Sequence, residues 1–326
     1  MSKQITVNAL VEGALLAAIT AILALIGLWV PPLQFITNLV WTVPIVVVIL
    51  RQDLKVGILA TLVAAILVLL FSDPVRAFFL ILQFGGVGIV YGVLFKKQTP
   101  PGKTVIIGSL VAAVSMVLMI VLSSWVIGVD FAQWTEQFSA TINPVIEMYR
   151  QMGMLDRMAE NGISEAQLRQ TLEQVISWLQ ILVPGILILS AIVSAALNFL
   201  VARAIVKKLG FKVPYVPPFR RWQLPWYAAW GVIVGLGLVL FGDANQLPAL
   251  RTIGQNIMYV YVPFLFIGGL SVIVYFFKER NWSPVLRVMI IIFVLFYWPV
   301  AVLILTSIGL FDPLFNYRKL GREMKE

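Results

Sequence analysis

The amino-acid sequence predicts an all-α fold: a polytopic membrane bundle of eight or nine spanning helices with an outer amphipathic helical cap. Three observations predict it. Hydrophobic residues make up 60% of the 326-residue chain and charged residues 12%, against about 45–50% and 25% in soluble domains. The apolar residues fall into long runs near the roughly 17–25 residues that a bilayer crossing needs. Lys and Arg gather in the short stretches on one side of those runs, which is the positive-inside pattern.

The runs, in order, are 5–30, 33–50, 56–71, 77–95, 104–128, 176–206, 224–242, 252–277 and 284–310. The first is long enough for a full span and has no small-residue cleavage site before polar sequence, so it reads as an uncleaved helix. The third is short and is expected to sit beside thinned lipid or to be completed by its neighbours. Pro44 in the second and Pro184 in the sixth are tolerable where neighbouring groups satisfy the freed carbonyls. The last run is interrupted at Trp298-Pro299.

With the N-terminus inside, the cytoplasmic stretches hold Lys3; Arg51 and Lys55; Lys96, Lys97 and Lys103; Lys207, Lys208, Lys212, Arg220 and Arg221; and Lys278 and Arg280. The outer stretches hold Arg76, Arg150, Arg157, Arg169 and Arg251. This places the protein in the cell (plasma) membrane with a cytoplasmic N-terminus. Nine crossings would leave Arg318, Lys319, Arg322 and Lys325 outside. Either the tail is tolerated there, or 284–310 does not cross once.

The soluble stretch 129–175 lies outside and carries Asp130, Glu136, Glu147, Asp156, Glu160, Glu165 and Glu173. Asn143-Pro144 reads as a helix start, with Asn as cap. Asn161-Gly162 is a break. Ser164 with Gln167 forms a capping box, followed by Leu168, Leu172, Val175 and Leu179 at helical spacing. Two short amphipathic helices are expected, the second running into the sixth span. They form a packed cap, a substrate lid or a partner-docking element. The stiff basic strip 207–223 is the best internal boundary, dividing a six-span region 1–206 from a C-terminal membrane extension 224–326.

Small residues recur on the first span as Gly13, Ala17, Ala21 and Ala24, with Ala14 and Ala18 on a second set of offsets. They are followed by Trp41-Thr42-Val43-Pro44, the charged turn Arg51-Gln52-Asp53-Leu54-Lys55-Val56-Gly57, and Gly85-Gly86-Val87-Gly88 in the fourth span. In this order of features the first six spans resemble the substrate-binding (S) component of energy-coupling factor transporters. The whole chain, including Leu310-Phe311-Asp312-Pro313-Leu314-Phe315-Asn316-Tyr317-Arg318-Lys319, resembles the YybS-like family, an uncharacterised group of bacterial membrane proteins. The resemblance to S components implies a subunit that captures a small molecule from outside and docks through its first helix onto a membrane coupling subunit served by cytoplasmic ATPases. It also implies a ligand pocket among the outer halves of the spans, lined by Asn38, Trp41, Asp73, Arg76, Gln83 and Trp125.

The residues themselves leave alternatives. The stripes Gly13/Ala17/Ala21 and Ala14/Ala18 mark close helix contacts, either internal or with a partner. Trp at an interface also serves as belt anchoring, and Asp73-Pro74 as an ordinary turn start. Glu12, an intramembrane charge, is a functional candidate by default, yet is shallow enough to pair with Lys55 or Arg203. Arg203 and Arg287 are expected to snorkel. Ser123 and Ser124 lie near Trp125, Asn198 lies within the sixth span, and Gln255, Asn256, Tyr259 and Tyr261 suit interhelical hydrogen bonds. The glycines at 85, 86 and 88 suit close packing better than a phosphate cradle.

The chain has no Cys and no His, which excludes thiol chemistry, imidazole acid–base chemistry and Cys/His metal sites. No paired carboxylates, Walker-type loop or metal-ligand cluster appears, so no enzyme and no cofactor is expected. The net charge of +9 follows from the cytoplasmic loops rather than from a nucleic-acid surface. The expected partners are the lipid bilayer, an unidentified small molecule, and a membrane coupling subunit with its ATPases or another membrane protein. The rival function is a non-transporting scaffold or regulator that recruits proteins.

Overall fold

A computed structural model describes residues 6–128 and 139–320; Lys3, Asp130, Glu136, Arg322 and Lys325 lie outside the described residues. Among the described residues the fold is all helical, and nine stretches are long and apolar enough to cross a bilayer. Large apolar side chains stay on the outside of these helices, as Leu62, Leu110 and Leu240 do at 55, 62 and 60% exposure. Hydrocarbon rather than water must cover them. The chain divides into two compact units, Met1–Trp134 with Leu187–Val216, and Thr135–Ile186 with Pro217–Glu326. The chain passes between them within the sixth span, at Ile186–Leu187, as well as in the strip 207–223, at Val216–Pro217, so residues 1–206 are shared by both units rather than forming one.

The first unit holds α1 (Val7–Trp29), α2 (Gln34–Val40), α3 (Thr42–Arg51), α4 (Leu54–Phe71), α5 (Pro74–Lys96) and α6 (Pro101–Ile127), with the second half of α9 (Glu165–Lys208). The second span is broken at Trp41, three residues before Pro44, whose ring excludes a regular helical turn behind it. Asp53 caps α4, accepting from the Val56 N–H at 3.0 Å. This earlier start gives α4 18 residues, so the third run reaches spanning length without the thinned lipid its sequence suggested. Asp73 caps α5, accepting from the Arg76 N–H at 2.9 Å.

Gly13, Ala17, Ala21 and Ala24 are all buried on α1. They face an aliphatic cluster that includes Ile45, Val48, Ile49 and Val56 and a second one around Trp41 and Val68. That stripe is consumed by internal packing, whereas Ala14 is exposed and Ala18 half-buried. The glycines of α5 receive side chains closely, Gly88 and Gly92 lying under Ile45 and Ile49. At the basic end, Lys96 Nζ donates to the carbonyls of Ile49 (3.1 Å) and Gln52 (2.6 Å). Gln98 reaches the Lys212 carbonyl at 2.9 Å. Arg203 donates to the Pro214 carbonyl at 2.8 Å and so ties the linker down instead of pairing with Glu12.

The second unit contains α7 (Ile142–Gln151), α8 (Met154–Glu160), the first half of α9, α10 (Ala229–Ala244), α11 (Pro248–Glu279), α12 (Pro284–Phe296) and α13 (Trp298–Phe315). The Ser164 capping box forms as expected: Ser164 N–H donates to Gln167 Oε1 at 2.8 Å and Gln167 N–H to Ser164 Oγ at 3.2 Å. The second cap helix runs unbroken into the sixth span over 44 residues. The first cap helix differs from expectation. It starts at Ile142, so Asn143 lies inside it, accepting from Arg169 at 3.0 Å. It is also cut in two at Gly153 (φ +64°), because glycine alone adopts that left-handed turn without strain.

The last run splits into α12 and α13 at Tyr297. Phe266 meets Trp298 with ring centres 5.3 Å apart, Gly268 and Gly269 meet Leu305 and Gly309, and Tyr275 Oη donates to the Arg318 carbonyl at 3.3 Å. Later residues of α11 meet later residues of α13, so the two helices run parallel, with α12 as the return between them. At about 1.5 Å per residue, the 13 residues of α12 rise roughly 20 Å. The run 284–310 therefore does not cross once, and Arg318 and Lys319 return to the end where α11 finishes with Lys278. The crossing is close: a Cβ on Gly269 would overlap the Leu305 carbonyl, and one on Gly309 the Leu265 carbonyl. This is the small-residue contact by which membrane helices gain dispersion energy.

Two polar constructions hold this unit. Pro184 interrupts the hydrogen bonding of α9, and the Asn256 carboxamide from α11 enters beside it. Its oxygen accepts from the Gly185 N–H at 2.6 Å while its amide donates to the carbonyls of Ile181 and Thr252, each at 2.8 Å. Gly185 leaves the room, since a Cβ there would stand 2.8 Å from the Asn256 oxygen. At the basic end, Arg318 is completely buried against Asp312, side chains 0 and 2% exposed, at 2.7 Å. Its remaining donors reach the carbonyls of Arg220 and Trp222 and the Ser271 hydroxyl, each at 2.8 Å. Gln223 covers Asp312 Oδ2 at 3.0 Å. The left-handed Asn316 (φ +47°) turns the chain so that Arg318 folds back onto Asp312.

Candidate functional site

A cavity of about 140 Å³ lies inside the first unit, its walls mostly apolar with Gln83, Ser190, Ser194 and Asn198 as the polar members. Residues spaced by four share a helix face, and two such faces build it. On α9, Ser190, Ser194 and Asn198 succeed one another; on α5, Gln83 and Val87 do, with Ala112 and Met116 of α6 and Ala191 of α9 completing the lining. At about 1.5 Å per residue, Asn198 and Ser190 stand roughly 15 and 27 Å along α9 from Lys208. The cavity therefore lies from the middle of a ~30 Å hydrocarbon core towards the end away from the lysines.

Asn198, only 1% exposed, anchors the inner end. Its oxygen accepts from Thr42 Oγ1 at 3.2 Å and its amide donates to the Ser194 carbonyl at 3.0 Å. Beyond it, towards the basic end, the α5 face continues as Tyr91 and Phe95. These pack with Phe199 at ring-centre distances of 5.4–6.2 Å. Tyr91 Oη donates to the Ala195 carbonyl at 2.7 Å. All three rings are buried, so an aromatic plug closes this end. Along α9 the side chains pass from buried at Asn198 through half-buried at Ser194 to exposed at Ser190, so the cavity opens away from the plug. No charged residue lines it. Its size is below the ~300–1,000 Å³ of drug-sized ligand pockets.

Of the six residues expected to line a pocket, only Gln83 does. Trp41 is 2% exposed and packs among Ala21, Ala24, Val68, Ala77 and Leu80. Asn38 is half-buried on α2, one turn before it. Asp73 serves as the α5 cap, and Arg76 is exposed beside it. Trp125 is 84% exposed near the end of α6, the place of a lipid-interface anchor. Gln83 is joined instead by Ser190 and Ser194, which sequence reasoning passed over, and by Asn198, recognised as intramembrane but not as pocket-lining. The signal available was the four-residue spacing of Ser190, Ser194 and Asn198.

Glu12 pairs with neither Lys55 nor Arg203. Arg51 donates to its Oε1 and Gln52 to its Oε2, each at 2.6 Å. The end of α3 comes nearer to it than the start of α4 does. Arg287, expected to snorkel, turns back to donate to the Phe277 carbonyl at 3.1 Å.

Apolar helices of crossing length, outward-facing aliphatic surfaces and buried polar bridges between helices define a polytopic α-helical membrane protein. Residues 18–313 match the family described as "Predicted membrane protein (DUF2232)", and the chain belongs to that family. It is 25% identical over 320 residues to "Uncharacterized protein YybS" of Bacillus subtilis (strain 168), an alignment covering 95% of this chain and 97% of that protein. No solved structure matches.

Proposed function

We propose that the protein is the small-molecule-binding membrane subunit of a transport system, similar to the S components of energy-coupling factor transporters. In this reading the basic ends are cytoplasmic and the cavity faces outward. The observation that carries it is the cavity among α5, α6 and α9, with four polar side chains in its lining, plugged by Tyr91, Phe95 and Phe199 at its basic end and opening at Ser190. Polar groups that converge on an otherwise apolar cavity are what orient a small guest. Its lining of two amides and two hydroxyls among Val87, Ala112, Met116 and Ala191 suits a small, neutral, largely apolar solute with a hydrogen-bonding group. Energy for uptake comes from ATPases and a coupling subunit contributed by other chains.

Native mass spectrometry of the detergent-purified protein tests this. The expected result is a co-purifying neutral solute that is lost on Gln83→Leu and retained on Asp73→Ala. An empty cavity together with a stoichiometric protein partner would overturn it in favour of a scaffold.

A further inference from the structure

A second recess, of about 620 Å³, lies at the basic end of the first unit, apart from the cavity of the proposed uptake role. One wall is the α1 face bearing Val11, Glu12 and Leu15; the other is the α3 face bearing Val43, Val47 and Arg51, with Leu209 at the mouth. From Asn8 to Leu16 on α1, and from Arg51 to Val43 on α3, it reaches eight residues deep, about 12 Å at 1.5 Å per residue. Its inner part is aliphatic and its mouth is charged. Val11 and Leu15 are 62 and 60% exposed, so the slot is open sideways, where hydrocarbon surrounds the helices.

The geometry points to a phospholipid seat: an acyl chain fills the slot and the headgroup phosphate is taken by Arg51. A slot open sideways to hydrocarbon fills with hydrocarbon rather than water, because its aliphatic walls gain dispersion partners that way. The mouth is built to hold a guanidinium still. Glu12 binds one Arg51 nitrogen, with Gln52 occupying the other Glu12 oxygen, and the guanidinium carbon stands 6.0 Å from the Phe211 ring centre. Arg51 nevertheless remains 49% exposed, leaving donors for a phosphate, the bidentate partner its planar fork suits. Glu12 is thus a positioning residue.

The test is native mass spectrometry of the full chain released from bilayers of phosphatidylglycerol or phosphatidylcholine. Wild type should retain one phosphatidylglycerol more than either Arg51→Gln, which removes the anion donor, or Leu15→Trp, which fills the slot and leaves the charges alone. Arg51→Gln should weaken the binding roughly tenfold or more, and Glu12→Gln by less. Inorganic phosphate should not displace the lipid. Equal retention by wild type and both variants overturns the seat, as does displacement by phosphate alone. A protein helix in the slot, recognised by crosslinks from Leu15 to another chain, overturns it too. Thermal melts of each variant separate loss of the lipid from loss of the fold.

Discussion

Each unit buries an asparagine, and the surroundings of the two differ. In the second unit two buried side chains are fully partnered: Arg318 has carboxylate, hydroxyl and carbonyl partners for all its donors, and Asn256 meets peptide groups on both faces of its amide, whereas Arg287 Nε and Thr306 Oγ1 are buried without a hydrogen bond. In the first unit Asn198 is bound at the inner end of a chamber, while Ser190, Ser194 and Gln83 line open space. Buried charge is costly unless paired and hydrogen-bonded, and an unpaired polar atom in hydrocarbon is costly in the same way. A saturated network therefore marks architecture, and a polar lining around space marks a place for a guest. Residue type does not distinguish them, since an asparagine occupies both.

The contrast can be broken most forcefully at the ion pair. Asp312→Ala strands a guanidinium with no carboxylate, and removing one partner of a buried pair costs about 3–5 kcal/mol. The expected outcome is loss of the monodisperse protein on size-exclusion chromatography in mild detergent. Asp312→Leu combined with Arg318→Met should recover much of it, because neither charge is then left alone. If Asp312→Ala melts like wild type, the network is not what closes the second unit. A smaller effect is expected at the proline break. Asn256→Leu leaves the Gly185 N–H and Ile181 carbonyl without the amide that bridges them, a loss of about 1–2 kcal/mol. Gly185→Leu should lower the melting temperature at least as much, by driving a side chain into the Asn256 amide.

Much of this architecture is written in the sequence, because span length, caps and positive charge are local signals. Ser164 with Gln167, Asp73 before Pro74, and the unbroken passage from cap to sixth span could all be read from a few neighbouring residues. The parallel course of α13 could not. It depends on Gly269 meeting Gly309 across 40 positions of chain, and glycine pairs carry no direction in sequence. The tail Asp312-Pro313-Leu314-Phe315-Asn316-Tyr317-Arg318 was legible as a family resemblance, yet its chemistry, an arginine folded back onto an aspartate six residues earlier, required the left-handed turn at Asn316. Tryptophans and loop charges are the conspicuous polar and aromatic residues of the sequence, but they do not build the chamber. Trp41 fills a gap between alanines instead, and small hydroxyls with one amide make the chamber.

The finest test of the contrast is the Thr42–Asn198 bond of 3.2 Å. Were Asn198 structural in the manner of Arg318, a double-mutant cycle of Thr42→Val and Asn198→Leu would return a coupling of several kcal/mol. Hydrogen bonds between membrane helices average only about 0.6 kcal/mol and reach roughly 1.7, because both groups find other partners when the bond is lost. Asn198 has one at hand in the Ser194 carbonyl, and the adjoining space leaves its amide less confined than Arg318. The expected coupling is therefore below about 1 kcal/mol, measured by chemical denaturation in detergent micelles. Asn198→Leu should at the same time abolish solute retention, because it puts a methyl-bearing chain at the cavity's inner end. A coupling above about 2 kcal/mol would place Asn198 with the clamp residues and leave the chamber without a polar anchor to offer a guest.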